Sequence, residues 1–331
     1  MASKINPSTQ PACRLDPEQP AIKKLQSLVF QASEQRQIEK SNRLKIDWRF
    51  GLEGAEELLY QQLFRAVGYS HYAEPFVELA IRSPYHSTFT GPPFKEPTAI
   101  LAQWLGELGL LQKLANHPQL ETLRQRYLTF FSGEILSPIT PKGRPSNDPV
   151  RRITGLFYHL DQSKAQGLVK NWLKFFYQVE AYLQEPKGGA RKVSESLDQL
   201  FSSPGDEPLL HFGSFQAKAP LSSPRRFIGA ERQRILLVNT VMPFFLSWAL
   251  HSKDRALERT LFGLFMLLPS EGKNHKTEAM SHRLGLGLAP LKLKANLACH
   301  QGLIQFHDHL CGEFYENHCK GCPMPAWLNR S

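Results

Sequence analysis

The residues best suited to chemistry lie near the C-terminus, in Cys299-His300-Gln301-Gly302-Leu303-Ile304-Gln305-Phe306-His307-Asp308-His309-Leu310-Cys311 and then Cys319-Lys320-Gly321-Cys322-Pro323. Cys319 and Cys322 form a C-x-x-C pair, whose turn can aim two sulfurs at one ion. The stretch from Leu291 to Cys311 has the apolar spacing of a helix, with Leu293, Leu297, Leu303 and Ile304 as its apolar residues. On such a helix His307 and Cys311 stand four apart and share a face. His307, Cys311, Cys319 and Cys322 would then make a tetrahedral zinc site, with Cys299 or His318 as alternatives to His307. The same three cysteines, with Pro323 following the last, also suit an iron–sulfur cluster. A redox dithiol would need a β-α-β setting that the sequence does not offer. Free thiols on a helix and a surface turn are the plain alternative.

A second chemistry is anion binding. Arg144, Arg151 and Arg152 surround the start of a predicted helix, with Asp148 as N-cap and Pro149 as its first residue. Backbone N–H groups at a helix start favour an anion, and guanidinium groups nearby strengthen a phosphate site. Arg225, Arg226, Arg232 and Arg234 bracket a second helix that starts at Ile228. Arg144, Arg151, Arg152, Arg232 and Arg234 are the candidate phosphate ligands; a solvated face or a set of internal ion pairs is the alternative. Asn147, Asn239, Glu271 and Asn274 read as structural polar residues that cap or hydrogen-bond neighbouring backbone. No phosphate-binding glycine loop, nucleophile elbow, zinc-protease helix or dinucleotide fingerprint is found, so no catalytic residue is assigned.

The elements that must position these groups are helices. Leu58, Leu59, Leu63 and Val67 line one face of a helix from Glu53, with Gly68 where a C-cap belongs. Glu74–Ile81, Pro97–Leu108 and Leu120–Phe131 repeat the pattern, and Ile153, Leu156, Phe157 and Leu160 form the stripe of the helix that Asp148 starts. Trp172, Phe175, Phe176 and Val179 are the buried face of the next. Ile228–Leu250 is a long apolar helix that Pro243 should disturb, and Arg255–Leu268 follows it. Strand alternation and hairpin signals are absent. The expectation is a mainly α fold, an irregular assembly of about ten helices with little or no sheet. It divides into a loose leader with an exposed helix (1–45), a helical subdomain (46–185), a Gly-, Ser- and Pro-rich linker or inserted loop holding one short helix from Val193 to Phe201 (186–225), and a second helical subdomain carrying the cysteines (226–331).

The 331 residues carry a formal net charge of +10 with 41% apolar residues. That composition is globular and favours polyanionic partners, although charge speaks to association and not to fold. The start, Met1-Ala2-Ser3-Lys4, has no apolar run, and Ile235–Leu250 is too short and too interrupted by Asn239, Pro243 and Ser247 for a membrane span. A cytoplasmic protein with reduced thiols and no membrane partner is expected.

Several ordered pieces together resemble the bacterial domain of unknown function 2851 family. They are Glu56-Glu57-Leu58-Leu59-Tyr60 with Leu63 and Val67-Gly68-Tyr69; Pro75-Phe76 with Leu79-Ala80; Arg144-Pro145 with Asn147, Pro149 and Arg152; Ile228-Gly229 with Asn239-Thr240-Val241 and Pro243; Pro269, Glu271 and Asn274; and Gln301-Gly302-Leu303-Ile304-Gln305 with Cys311, Cys319 and Cys322. The resemblance spans residues 40 to 325 and is to the helical C-terminal half of longer members. It implies that a front half suggestive of restriction-endonuclease-like nucleases is missing, so no nuclease residue carries over. The three cysteines match the family's ending; His307 and Cys299 do not. The expectation is a non-catalytic, nucleic-acid-associated accessory module with a structural metal, working with a separately encoded nuclease-like partner. A redox or nuclease-linked iron–sulfur protein and a plain protein–protein scaffold are the alternatives.

Overall fold

The computed structural model describes residues 21–44, 46–90, 96–112, 117–141, 148–185, 187–272, 274–284, 296–311 and 322–329. In chain order the helices are α1 (Ala21–Arg43), α2 (Gly51–Arg82), α3 (Pro97–Glu107), α4 (Pro118–Phe130), α5 (Pro149–Ser163), α6 (Leu168–Leu183), α7 (Gly189–Leu200), α8 (Ala230–Leu236), α9 (Met242–Ser252), α10 (Arg255–Leu267), α11 (His275–Arg283), α12 (Leu297–Leu310) and α13 (Met324–Asn329). Wider π-helical turns occupy His86–Thr90 and Leu237–Val241. The expected mainly α fold is what is found: among the described residues the sole β feature is an isolated bridge between Pro269 and Asn296. The chain forms two compact units, Leu44–Phe245 and Met1–Arg43 with Leu246–Ser331.

Helix starts follow local chemistry. The carboxylate of Asp148 accepts the N–H of Val150 at 2.9 Å with Pro149 in the first turn, and Asn274 and Asn296 cap α11 and α12 in the same way. The start of α6 is served at long range: the Val169 N–H donates to Glu56 Oε1 at 3.1 Å, placing a carboxylate at the positive end of that helix. Gly167 permits the approach, since its φ is +90° and a Cβ there would lie 2.6 Å from the same oxygen.

The Leu44–Phe245 unit is built around aromatic side chains. Phe64 and Trp104 meet edge to face with centroids 5.1 Å apart, and Trp104 does the same with Phe157 at 5.9 Å. A second group joins Trp172, Phe175, Phe176 and Phe201. The stripes expected on α5 and α6 are all buried. Residues 187–225, expected as a linker or inserted loop, are part of this unit's core, with Val193, Leu197, Phe201, Leu209 and Phe212 buried. Sequence composition reported their turns and concealed how much apolar surface lies between those turns.

In the other unit α1 packs on α12 at close range: a Cβ on Gly302 would lie 2.0 Å from the Val29 carbonyl oxygen. The sequence predicts an exposed helix here. Instead Leu25, Val29, Ser33, Gln37 and Ser41, four apart, make a buried stripe. Three of the five are polar, so no apolar period marks this face. The run Ala230–Ser252 is long and apolar enough to cross a membrane, and 61% of its most apolar window is buried inside the protein, as in a core helix.

Candidate anion-binding cleft

The most unusual backbone of the Leu44–Phe245 unit is at Tyr69. Gly68 approaches the next turn so closely that a Cβ would lie 2.7 Å from the N and Cα of Ala73. At Tyr69 the helix α2 breaks, with φ 55° and ψ −154°, and then resumes. A tyrosine in that region costs about 1–3 kcal/mol and persists where the surroundings hold it. Arg152 is one of those surroundings. Its Nη1 donates to the Val67 carbonyl at 3.0 Å and toward that of Gly68 at 3.4 Å, two groups just before the break. Its guanidinium lies 4.6 Å from the Tyr69 ring centroid and 5.9 Å from that of Tyr72. From α8, Arg232 lies 3.7 Å from the same Tyr69 centroid. Burial holds both arginines below the ordinary guanidinium pKa, yet an arginine stays charged in a protein.

Beside this group the chain departs from α geometry a second time. Pro243 has no N–H to offer the Asn239 carbonyl, and the helix widens over Leu237–Val241, with the Met242 N–H bonding to Leu237 five residues back. Asn239 stands exposed on this turn and donates to the Ile235 carbonyl at 3.1 Å. A cleft of about 290 Å³ opens between α2 and the widened turn, lined by Gln62, Arg65, Ala66, Tyr69, Ile235, Leu236, Asn239 and Thr240. The Tyr69 hydroxyl is buried with no hydrogen-bond partner among the described residues, a state that normally has an explanation such as a bound group. Arg65 is about half exposed and pairs with the more exposed Glu74 at 2.9 Å. The arrangement offers guanidinium charge, an orphan hydroxyl and side-chain amides around a concave surface, which is the equipment of an anion site.

Neighbouring sequence candidates have other surroundings. Arg151 is buried, and its guanidinium donates to the carbonyls of Leu209, Phe212, Arg225 and Arg226 at 2.5–3.1 Å. It ties α5 to the 208–226 segment and faces no solvent. Arg226 is exposed and pairs with Asp198; both line a broader recess of about 560 Å³ with Arg225. Arg234 is half-buried, its Nε without a partner among the described residues. Arg144 and Asn147 lie outside the described residues. Tyr69 was missed as a site residue because an aromatic after a helix-ending glycine carries no charge or spacing signal.

The cysteine region lies in the other unit. Cys299, Cys311 and Cys322 all pack against one apolar cluster that contains Leu25, Val29, Leu303 and Phe306. Burial pushes the Cys299 thiol up to about 11. His307 is half-buried, 3.3 Å from Asp308, with its ring 6.4 Å from that of His275. Cys319 and His318 lie outside the described residues; among those described, no three His, Cys, Asp or Glu side chains are placed to share a metal ion. Glu271 accepts a hydrogen bond from the Gln301 amide, and Asn274 caps α11.

No curated protein and no solved structure matches the chain. One family model does, over residues 3–275, a stretch that includes the cleft and ends before Cys299. That match covers most of the chain, and the protein therefore belongs to the family described as protein of unknown function DUF2851.

Proposed function

We propose that this protein is a nucleic-acid-associated accessory module whose Tyr69 cleft receives phosphate groups. The observation that carries the reading is the meeting of Arg152 and Arg232 on a strained tyrosine with an orphan hydroxyl, beside a cleft that Arg65 and Asn239 help to line. In this reading Arg232 and Arg65 supply charge to the ligand, and Arg152 holds the broken helix that forms one wall of the cleft. The net charge of +10 supplies the long-range attraction. The protein would work beside a separately encoded nuclease-like partner.

The test is binding of short labelled single-stranded and duplex oligonucleotides across a salt series. Affinity should fall steeply with salt, because each phosphate neutralised releases counterions. Replacing Arg232 with alanine should flatten the slope by about 1. Absent binding, or binding indifferent to salt, overturns the reading.

The same reading places a structural metal, zinc or an iron–sulfur cluster, on Cys311, Cys319, Cys322 and His307. Its support is the convergence of Cys311 and Cys322 on one apolar cluster. Metal analysis with a visible spectrum, on protein purified anaerobically without chelator, decides it: colourless zinc or brown iron with sulfide supports one form each, and metal-free protein removes this part of the proposal.

A further inference from the structure

The buried stripe of α1 is apolar only at its start. Leu25 and Val29 belong to the unit's apolar cluster. Ser33, Gln37 and Ser41 continue the stripe, and both amide atoms of Gln37 are buried with no partner among the described residues. An unpartnered buried amide opposes docking. The C-terminal half of α1 is therefore held on α12 by a polar network. Arg36 Nε and Lys40 Nζ both donate to Gln301 Oε1 at 3.0 Å. Arg36 Nη1 also reaches Gln305 Oε1 at 3.2 Å and Asp308 Oδ2 at 3.1 Å, and Glu39 accepts from Gln305 Nε2 at 3.1 Å. The Gln301 amide donates onward to Glu271.

Two cations thus meet on one neutral amide oxygen. Among the described residues, the charged groups that act on Lys40 include Arg36 and Arg43 along its own helix, Glu271 from the loop before α11, and Asp308 from α12. Asp308 already serves Arg36 and, at 2.6 Å, Lys276. An arginine cannot release its proton, whereas a lysine among like charges can, and a neutral amine still donates to Gln301.

We propose that Lys40 is a proton-controlled latch: with its amine neutral α1 stays docked on α12, and protonation of that amine loosens the C-terminal half of α1. Burial and the adjacent Arg36 hold the Lys40 amine down at about 7 in the docked state, Glu271 opposing them. In undocked α1 the same amine keeps its ordinary affinity for a proton, at 10.5. The undocked form therefore binds more protons between these values, and docking strengthens as pH rises through that window by up to about tenfold per pH unit. Below the docked value both forms are protonated and the dependence flattens.

Amide hydrogen exchange of residues 28–43 in the full-length protein tests this, with rates normalised to intrinsic exchange and the Leu44–Phe245 unit as internal reference. Protection in α1 should climb from about pH 7 to about pH 9 by roughly tenfold per unit at its steepest. Lys40→Met should give high, pH-independent protection, and Lys40→Arg low protection throughout. Flat wild-type protection, or a Lys40→Met variant that keeps the wild-type profile, overturns the latch. If neither variant folds, the wild-type Lys40 side chain can be titrated by carbon-13 NMR; a midpoint at the ordinary lysine value overturns the proposal and a midpoint near neutrality supports it.

Discussion

Replacing Arg151 with alanine should unfold the Leu44–Phe245 unit far more readily while leaving nucleic-acid binding alone. The guanidinium bonds to four backbone carbonyls, those of Leu209, Phe212, Arg225 and Arg226. Arg225 and Arg226 are exposed residues, whose carbonyls water can reach once the side chain is gone. Phe212 is fully buried and its carbonyl would be stranded, whereas the Leu209 carbonyl keeps the N–H of Phe212 at 3.3 Å. One stranded carbonyl costs about 1–3 kcal/mol, and with the charged hydrogen bond lost at Leu209 the expected loss is about 2–3 kcal/mol. The assay is a urea titration read by hydrogen exchange in α5 and α6, which reports this unit by itself. With a slope of about 2 kcal/mol per molar urea, the midpoint should fall by about 1–1.5 M. Lysine at the same position should rescue only part of the loss, because a single ammonium cannot reproduce the planar fork. A stability within about 0.5 kcal/mol of wild type, combined with a flattened salt slope for nucleic-acid binding, would refute the assignment of Arg151 as an internal clamp.

Two further outcomes are expected. Gly302→Ala should destabilise the unit holding α1 and α12 by about 1–3 kcal/mol, since the new methyl meets the Val29 carbonyl and backbone cannot rotate away; faster exchange confined to α1 and α12 is the signature, and unchanged exchange there would show that the close approach is not real. His159 is buried neutral, its pKa lowered by burial to about 4 while its Nδ1 bonds to the Leu200 carbonyl. The unfolded chain binds that proton more readily, so stability is complete above the unfolded value near 6.5 and declines toward about 4, by up to roughly 3 kcal/mol. A pH series of urea midpoints should show the decline in wild type and lose most of it in His159→Phe.

Much of the local architecture could be read without coordinates, because it depends on near neighbours in the chain. Asp148 followed by Pro149 starts α5 for reasons contained in those two residues. Trp172, Phe175, Phe176 and Val179 recur at a helical period and are the buried face of α6. Pro243 does disturb its helix by lacking an N–H. The sequence places a helix end at Gly68; α2 instead runs on to Arg82 with its break at Tyr69, and the missing side chain of Gly68 admits the close approach of Ala73.

What the sequence by itself determined was therefore the helical class, many of the helix starts and breaks, and a surplus of positive charge. Tertiary structure decided which charges are available. Arg151 and Arg152 are adjacent and chemically identical, yet successive helical residues point about 100° apart. One consequently faces the 208–226 segment and the other the broken end of α2. Nothing in the composition of α1 marks its buried face, because Ser33, Gln37 and Ser41 look like solvent residues until α12, more than two hundred residues later in the chain, is laid against them. The pairing of Arg232 with Tyr69, and of Lys40 with Gln301, likewise joins residues that are strangers in sequence. Hydrophobic period and capping are properties of one helix, whereas a site is made where several helices converge, and only the folded chain sets those distances.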